Sequence, residues 1–522
     1  MYIQIDNLKI TPDISEDKIP DILLKKFNIS VKNFKILKKS LDARDKKNIC
    51  YTLRILINVE EEKGLELIKT DHVSEYLEPS PIPHKKCFSK EKIIIIGAGP
   101  AGLFCALRLI EAGLKVIILE RGKAVEERIK DIKNLEINGI LDPQSNVLFG
   151  EGGAGTYSDG KLTTRTNRPE ISWFYEKLIF HGADPAIEYY SKPHIGTDKL
   201  QIILKNIRSH ILSTGSEIYF NNKVNDFKID ENRITSVITS TGKEFHSPYY
   251  ILATGHSARD TYEMLLSKKI HLEKKGFAIG TRIEHPAEYI KKIQFGRSRY
   301  YNHLPPAEYS LSWNNKQTGR GVYSFCMCPG GYVINSSSEE GMLCTNGMSM
   351  SERAGKFSNA ALVVTVKPDD TGSNPLAGLE LQRSIEQKAF SAGGGLFKAP
   401  AQTIESFLRS RKTEIDREVS YKNGITPSRL EEFLPEWITE EIKRALPCFN
   451  NSMKGFSSSE GIFIGAETRT SSPVRITRDK SFQSVNTPGL FTAGEGAGYA
   501  GGIVSSAIDG MRCADAIIEL MT

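Results

Sequence analysis

Lys92-Ile93-Ile94-Ile95-Ile96-Gly97-Ala98-Gly99-Pro100-Ala101-Gly102, followed by residues 103–112 at helical spacing, Lys115–Leu119 and then Glu120, is the stretch that decides the fold. Four consecutive isoleucines are continuous rather than alternating, which suits a parallel strand covered on both faces. Gly97 permits a tight turn, Gly99 lets backbone approach a pyrophosphate, and Gly102 allows helix to pack closely on strand. The helix opening at Pro100 and Ala101 presents unpaired N–H groups and partial positive charge to phosphates. Glu120, with Arg121 beside it, stands ~20 residues on, where a carboxylate accepts hydrogen bonds from ribose hydroxyls. A bare G-x-G-x-x-G is weak. Strand, helix, second strand and terminal acid together predict a dinucleotide site in an α/β domain.

The chain of 522 residues has room for two or three domains. Upstream of the fingerprint, residues 3–10 read as a strand. Ile19, Ile22, Leu23 and Phe27 share a helical face, and residues 34–37 and 51–57 are strand-like, giving a small β-α-β-β unit. Residues 78–86 carry three prolines and read as a stiff linker. The opening residues lack the basic and apolar regions of a secretory signal, and the apolar run 93–107 is too short for a bilayer span. Eight widely spread cysteines fit reduced thiols, so a cytoplasmic location without membrane contact is expected. Net charge is +6, yet residues 25–47 alone hold nine basic residues against two acids, so the whole basic excess sits there. Lysines interleaved with Phe27, Phe34 and Tyr51 allow contact with RNA or another polyanion. A solvated face is the preferred reading.

Two distant segments name the dinucleotide. An apolar strand ends in Ala253-Thr254-Gly255, and near the C-terminus stands Thr487-Pro488-Gly489-Leu490-Phe491-Thr492-Ala493-Gly494-Glu495. With the fingerprint, these resemble the glutathione-reductase-like two-dinucleotide-binding-domain flavoproteins. There the first strand-helix-strand unit binds the ADP part of FAD, and a strand followed by Gly-Asp approaches the ribityl side. Glu495 departs from that aspartate. Gly501-Gly502-Ile503 then starts a helix whose N-terminus would face the pyrimidine end of the flavin and stabilise negative charge on its reduced form. Residues 39–44, 150–162, 255–260 and 324–331 (Ser-Phe-Cys-Met-Cys-Pro-Gly-Gly) more specifically resemble a bacterial family of FAD-dependent dehydrogenases of unestablished substrate.

Residues 155–161 spell G-x-x-x-x-G-K, but Leu162 stands where a P-loop needs Ser or Thr for Mg²⁺. In the flavoprotein reading, Gly152, Gly153 and Lys161 wrap the pyrophosphate or cover the isoalloxazine. Cys326 and Cys328 could exchange electrons with a flavin as a strained C-x-C disulfide, although reduced, packed thiols are the commoner outcome. His256 follows the Ala-Thr-Gly strand, where loops face ligand. A proton-transfer role is open to it, but with no partner carboxylate assignable from sequence a solvated or phosphate-facing loop histidine is the preferred reading. No spacing suits a metal, and residues 347–351 fail the G-x-S-x-G elbow.

The expected architecture is an FAD-binding Rossmann-like domain of glutathione-reductase type (89–261 and 455–522), an inserted mixed-sheet substrate domain (262–454) and a small α+β N-terminal domain (1–88). The expected activity is hydride transfer through flavin N5 with a small-molecule substrate, NAD(P)H being a candidate transient reductant. The alternatives are a nicotinamide-only dehydrogenase and a polyanion- or RNA-associated protein with structural flavin. Substrate and oligomeric state are not legible.

Overall fold

The isoleucine run is buried on both sides. Ile93 and Ile95 enter one hydrophobic core, and Ile94 and Ile96 enter another on the opposite face. This two-sided burial is why the strand reads as continuous rather than alternating. The computed structural model describes every residue except 79–81, 84 and 165–167, so part of the proline-rich segment 78–86 lies outside the described residues.

The N-terminal unit contains β1 (Tyr2–Ile10), α1 (Ile19–Phe27), β2 (Phe34–Asp42), β3 (Cys50–Asn58), α2 (Glu61–Leu67) and β4 (Val73–Glu75) in one antiparallel sheet of order β2-β3-β1-β4. The β-α-β-β reading is thus extended by α2 and β4. A register shift between Ile5 and Leu8 resets the alternation of β1, so Ile3, Ile5, Leu8 and Ile10 are all buried. The basic stretch is partly a seam to the rest of the chain. Lys39 N–H donates to Tyr189 O at 2.7 Å, and Ser191 N–H donates to Lys39 O at 2.9 Å. The Lys39 ammonium lies over the rings of Tyr51 and Tyr190 and pairs with Glu16 at 2.6 Å. Lys46 donates to Ile293 O at 2.8 Å. Lys25, Lys26, Lys32, Lys38 and Lys47 remain exposed.

The second unit runs through β5 (Lys92–Ile96), α3 (Pro100–Glu111), β6 (Lys115–Leu119), α4 (Val125–Asn138), α5 (Glu170–Phe180), α6 (Thr197–Ser213) and β7 (Glu217–Tyr219). It continues with the antiparallel strands β8 (Val224–Asp230), β9 (Arg233–Thr239) and β10 (Glu244–His246), then β11 (Tyr250–Leu252) and α7 (Arg259–Ser267). The inserted unit contains β12 (Leu272–Lys274), β13 (Phe277–Pro286), α8 (Ala287–Phe295), β14 (Ser312–Asn315), β15 (Arg320–Asn335), β16 (Thr345–Met348), β17 (Phe357–Val366), α9 (Ala377–Ala392), β18 (Ala399–Thr403), α10 (Ile404–Leu408), β19 (Ile425–Pro427), α11 (Glu436–Ser452), β20 (Ile462–Glu467) and β21 (Val474–Ile476). The chain then returns through β22 (Gln483–Ser484), β23 (Thr487–Thr492) and α12 (Ile503–Met521).

The central sheet has the order β22-β23-β11-β5-β6-β7, parallel from β23 to β7 and closed by antiparallel β22. Placing β23 beside β11 brings the C-terminal strand to the fingerprint strand's neighbour. Helix α12 packs on α3 so closely that a Cβ at Gly510 would lie 2.0 Å from Ala101 O. The inserted sheet, β14-β15-β17-β13-β20-β18-β19 with β16 on β15, is mixed because β18 and β19 run parallel. The sequence reading ends this unit at 454. Strand pairing carries it further, since β20 fills the place between β13 and β18. Antiparallel β12 and β21 form the ribbon at its neck. Among the described residues, no helix is long and apolar enough to cross a membrane.

Candidate functional site

Gly97 has φ +108°, and a Cβ there would sit 2.4 Å from Ala253 O; one at Gly102 would sit 2.0 Å from Gly97 O. The turn is therefore wedged between its own helix and the Ala253-Thr254-Gly255 segment, and only glycine fits. Helix α3 starts at Gly99 without a side-chain cap, so its first N–H groups stay available to an anion. The buried Glu120 carboxylate accepts from Ala98 N–H at 2.7 Å, Gly122 N–H at 2.9 Å and Gly150 N–H at 3.0 Å. Two carboxylate oxygens offer about four acceptor sites, so room for a ribose hydroxyl remains. Glu120 thus fixes the turn. Arg121 is committed to Asp260 at 2.9 Å and to the face of Phe149. Burial opposes ionisation of Asp260, but Arg121 and Lys223 hold it down at about 2.

The glycine-rich loop 150–160 is strapped over this turn. Gly152 N–H donates to Ala98 O at 2.8 Å, and Gly153 meets Gly99, with 3.2 Å from its ideal Cβ to the Gly99 Cα. Gly153 approaches other backbone, whereas a Cβ at Gly152 would meet the side chains of Thr156 and Leu204; sequence alone does not distinguish either reason for glycine from phosphate contact. Gly155 touches Pro100 and Ile503, linking the loop to the start of α12. The loop is held from beneath by Arg128, a residue the sequence reading missed. Its guanidinium is fully buried and donates to the carbonyls of Asn146, Val147, Glu151 and Gly153 at 2.7–2.8 Å and to Thr156 Oγ1 at 3.2 Å. Lys161 leaves the turn altogether. It pairs with Asp159 at 3.1 Å and donates to Met327 O, tying the loop's far end to the inserted sheet.

The C-terminal elements close the other side. Gly494 N–H donates to Asp509 Oδ2 at 2.8 Å, and Asp509 also takes Arg478 at 2.7 Å; neither residue was flagged by its sequence surroundings. A Cβ on Gly496 would meet Gly255 O at 2.6 Å, so the two distant glycine turns lie against each other. This contact gives His256 the carboxylate that sequence could not assign: Nδ1 is 3.4 Å from Glu495 Oε1. His256 Nε2 is buried and has no partner. Burial also pushes the Lys275 ammonium down, with Glu495 opposing that shift.

These features fit a flavin dinucleotide. Both α3 and α12 begin at glycines with no side-chain cap. Side chains built at Gly255, Gly501 and Gly502 would meet open space. One buried imidazole nitrogen awaits a partner beside them. Cys326 and Cys328, both free thiols, lie instead on β15 of the inserted sheet, reached from this site through Lys161. Among the described residues, no group of three or more His, Cys, Asp or Glu is disposed to hold a metal ion.

Residues 91–264 match the family described as pyridine nucleotide-disulphide oxidoreductase, and residues 276–470 match the FAD-dependent protein C-terminal domain-like family. Residues 2–58 match a domain of unknown function. A protein of Clostridium beijerinckii, described as uncharacterized, is 41% identical over 528 residues, covering 99% of both chains. Solved structures matched by the chain include glycine oxidase from Bacillus cereus (14% identity, TM-score 0.32, 83% of this chain and 96% of that one). Another is a glycerol-3-phosphate dehydrogenase from Bacillus halodurans complexed with FAD (10% identity, TM-score 0.34, 83% and 65%). With its two flavoprotein matches and its full-length relative, the chain belongs, together with the Clostridium beijerinckii protein, to a family of FAD-dependent oxidoreductases, and its cofactor is FAD.

Proposed function

We propose that this protein is a dehydrogenase of glutathione-reductase-type arrangement, exchanging a hydride with a small molecule where the flavin domain meets the inserted sheet. The observation that carries the reading is the meeting of four separate chain segments, 97–102, 150–155, 253–256 and 494–503, around two uncapped helix starts. FAD, when bound, supplies the two-electron chemistry at N5. Glu120, the 97–102 turn and the α3 N-terminus hold the adenosine and pyrophosphate end. Gly494, Glu495, Gly501, Gly502 and Ile503 hold the flavin end, with the α12 N-terminus favouring negative charge. His256, oriented through Nδ1 by Glu495, presents Nε2 as the group able to give or take a proton. The flavin unit on this reading comprises residues 89–261 and the segment after β21.

Only one complete dinucleotide fingerprint is present, so NAD(P)H acts, if at all, as a transient visitor rather than a resident of a second domain. Anaerobic stopped-flow reduction with NADH, NADPH and thiols tests this. The reading expects slow or no bleaching by the nicotinamides and would be contradicted by tight, saturable, rapid reduction by either. The flavin end has its own test in Gly501→Val. No protein atom lies within 4 Å of the new Cβ, and the backbone there is outside the left-handed region. Melting of the apoprotein should stay within roughly 2 °C. Retained FAD should fall several-fold, and unchanged FAD content would remove Gly501 from the site.

A further inference from the structure

The N-terminal unit is a split β-α-β arrangement whose two helices lie on the same face of its sheet. Inward residues such as Ile3 and Ile55 share one core with Ile19 and Leu23 of α1 and Leu67 of α2. The opposite face is turned to solvent, and Tyr2, Lys9, Lys38 and Arg54 are all exposed there. Register sets their spacing. Lys38 stands directly opposite Arg54, and Lys9 stands opposite Thr52, whose other neighbour is Ser40. Three cations thus span β2, β3 and β1 within two residues of strand length, and like charges opposite each other on a sheet cost stability. Arg54 has a carboxylate, Asp6 at 2.5 Å, but Lys9 and Lys38 make no ion pair among the described residues. Beyond Asp42, the exposed Arg44 and Lys47 carry the charge along the β2–β3 loop, which Ile49 anchors in the core of the inserted unit. Lys46, donating to Ile293 O at 2.8 Å, brings the exposed Arg297 and Arg299 alongside. The free edge of β2 is closed, since Lys39 exchanges backbone hydrogen bonds with Tyr189 and Ser191, so a partner meets the face and not the edge.

We propose that this open face binds single-stranded nucleic acid, with Lys9, Lys38 and Arg54 on backbone phosphates and Tyr2 stacked on a base. The basic stretch 25–47 is not itself the surface. Lys25 and Lys26 lie on α1, behind the sheet, whereas Lys9 and Arg54 of the open face stand outside that stretch. The fold assembles a line of cations from three strands, and a line of phosphates relieves their repulsion. Shape favours a single strand over a duplex. The face is a pleated surface from which no helix projects into a groove, and Tyr2, 56% exposed at the head of the central strand β1, offers its ring to an unstacked base. Gln4, Thr52 and Asn58 on the same face supply amide and hydroxyl groups suited to base edges. The flavin site takes no part in this surface.

The test is fluorescence anisotropy of labelled oligo(U) and oligo(dT), each about 20 nucleotides long, titrated with the purified full-length protein. Contacts with about four phosphates predict a roughly fifty-fold loss of affinity between 50 and 200 mM salt. Lys9→Glu combined with Lys38→Glu should weaken binding roughly tenfold or more at 50 mM salt and flatten the salt dependence. Lys38→Glu also sets opposite charges in register with Arg54, so melting should hold or rise, which separates lost binding from lost fold. Lys25→Glu combined with Lys26→Glu makes the same change of net charge behind the sheet and should cost about twofold at most. Tyr2→Ala should weaken binding about fivefold or more and leave the salt slope unchanged. Every variant should carry as much FAD as the wild type. The tighter of the two oligonucleotides identifies RNA or DNA as the source. No binding of either at 50 mM salt, an equal loss from the pair behind the sheet, or equally tight binding of a duplex of the same length would overturn the proposal. So would displacement of the oligonucleotide by polyglutamate at equal charge concentration, which would make the face a dock for an acidic protein.

Discussion

Arg128→Ala is expected to loosen the loop over the dinucleotide turn and to release most of the bound FAD, at a cost of about 3–5 kcal/mol to the folded unit. The carbonyls of Asn146, Val147, Glu151 and Gly153 all accept from this one guanidinium, and that of Glu151 also accepts from Thr156 Oγ1 at 3.0 Å. Each buried acceptor left unpaired costs about 1–3 kcal/mol, and partial entry of water recovers some of the sum. Burial pulls Arg128 down only to about 10, so it stays cationic at neutral pH, with Tyr157, Glu120 and Glu151 supporting its charge. Lysine cannot substitute: an ammonium has three donors and lacks the planar fork that reaches carbonyls on several sides. The measurement is limited proteolysis and thermal melting alongside FAD content. We expect new cleavage around residues 146–157, a lower melting temperature and at least a tenfold loss of retained FAD, with Arg128→Lys close to the alanine variant. Wild-type melting and FAD content in both variants would show that the loop stands without Arg128.

Glu120→Gln has the second-largest expected effect, and it isolates charge from shape. The carboxylate accepts three backbone N–H groups on its two oxygens. An amide of the same size offers one oxygen and turns an NH₂ group toward donors. At least one N–H loses its partner and the charge assistance of the others disappears, for about 3 kcal/mol in all. At about 1.4 kcal/mol per factor of ten, FAD affinity should fall on the order of a hundredfold. Titration of the apoprotein with FAD, followed by flavin fluorescence, measures this. An unchanged affinity would mean that FAD binding depends neither on the hold of Glu120 on the turn nor on its charge.

The parts of this protein that sequence made legible are those where one residue type answers one local demand. Lys115–Leu119 is a strand over the expected residues, and Gly97 and Gly102 are required by contacts of 2.4 and 2.0 Å that any side chain would violate. The Ala253-Thr254-Gly255 and Gly494-Glu495 segments were legible through resemblance, and the structure sets them against each other. What stayed hidden depends on distant partners. Arg128 lies in a helix rich in charged residues and reads as one more solvated side chain, until the loop it supports folds over it. Asp509 and Arg478 likewise acquire meaning only as a pair. The inserted sheet alternates long-range pairings across residues 277–467, and its sixteen-residue strand, Arg320–Asn335, crosses a Cys-Pro-Gly-Gly sequence that locally argues for a turn. That same irregularity produces the left-handed Cys326 and its companion thiol.

The central claim is that these segments form one FAD site, and the FAD content of freshly purified protein tests it most directly. Acid release and chromatography of the released nucleotide should give close to one FAD per chain for the wild type, and little for Glu120→Gln or Arg128→Ala. A folded wild-type protein that is colourless and takes up no FAD from excess in solution would contradict the account.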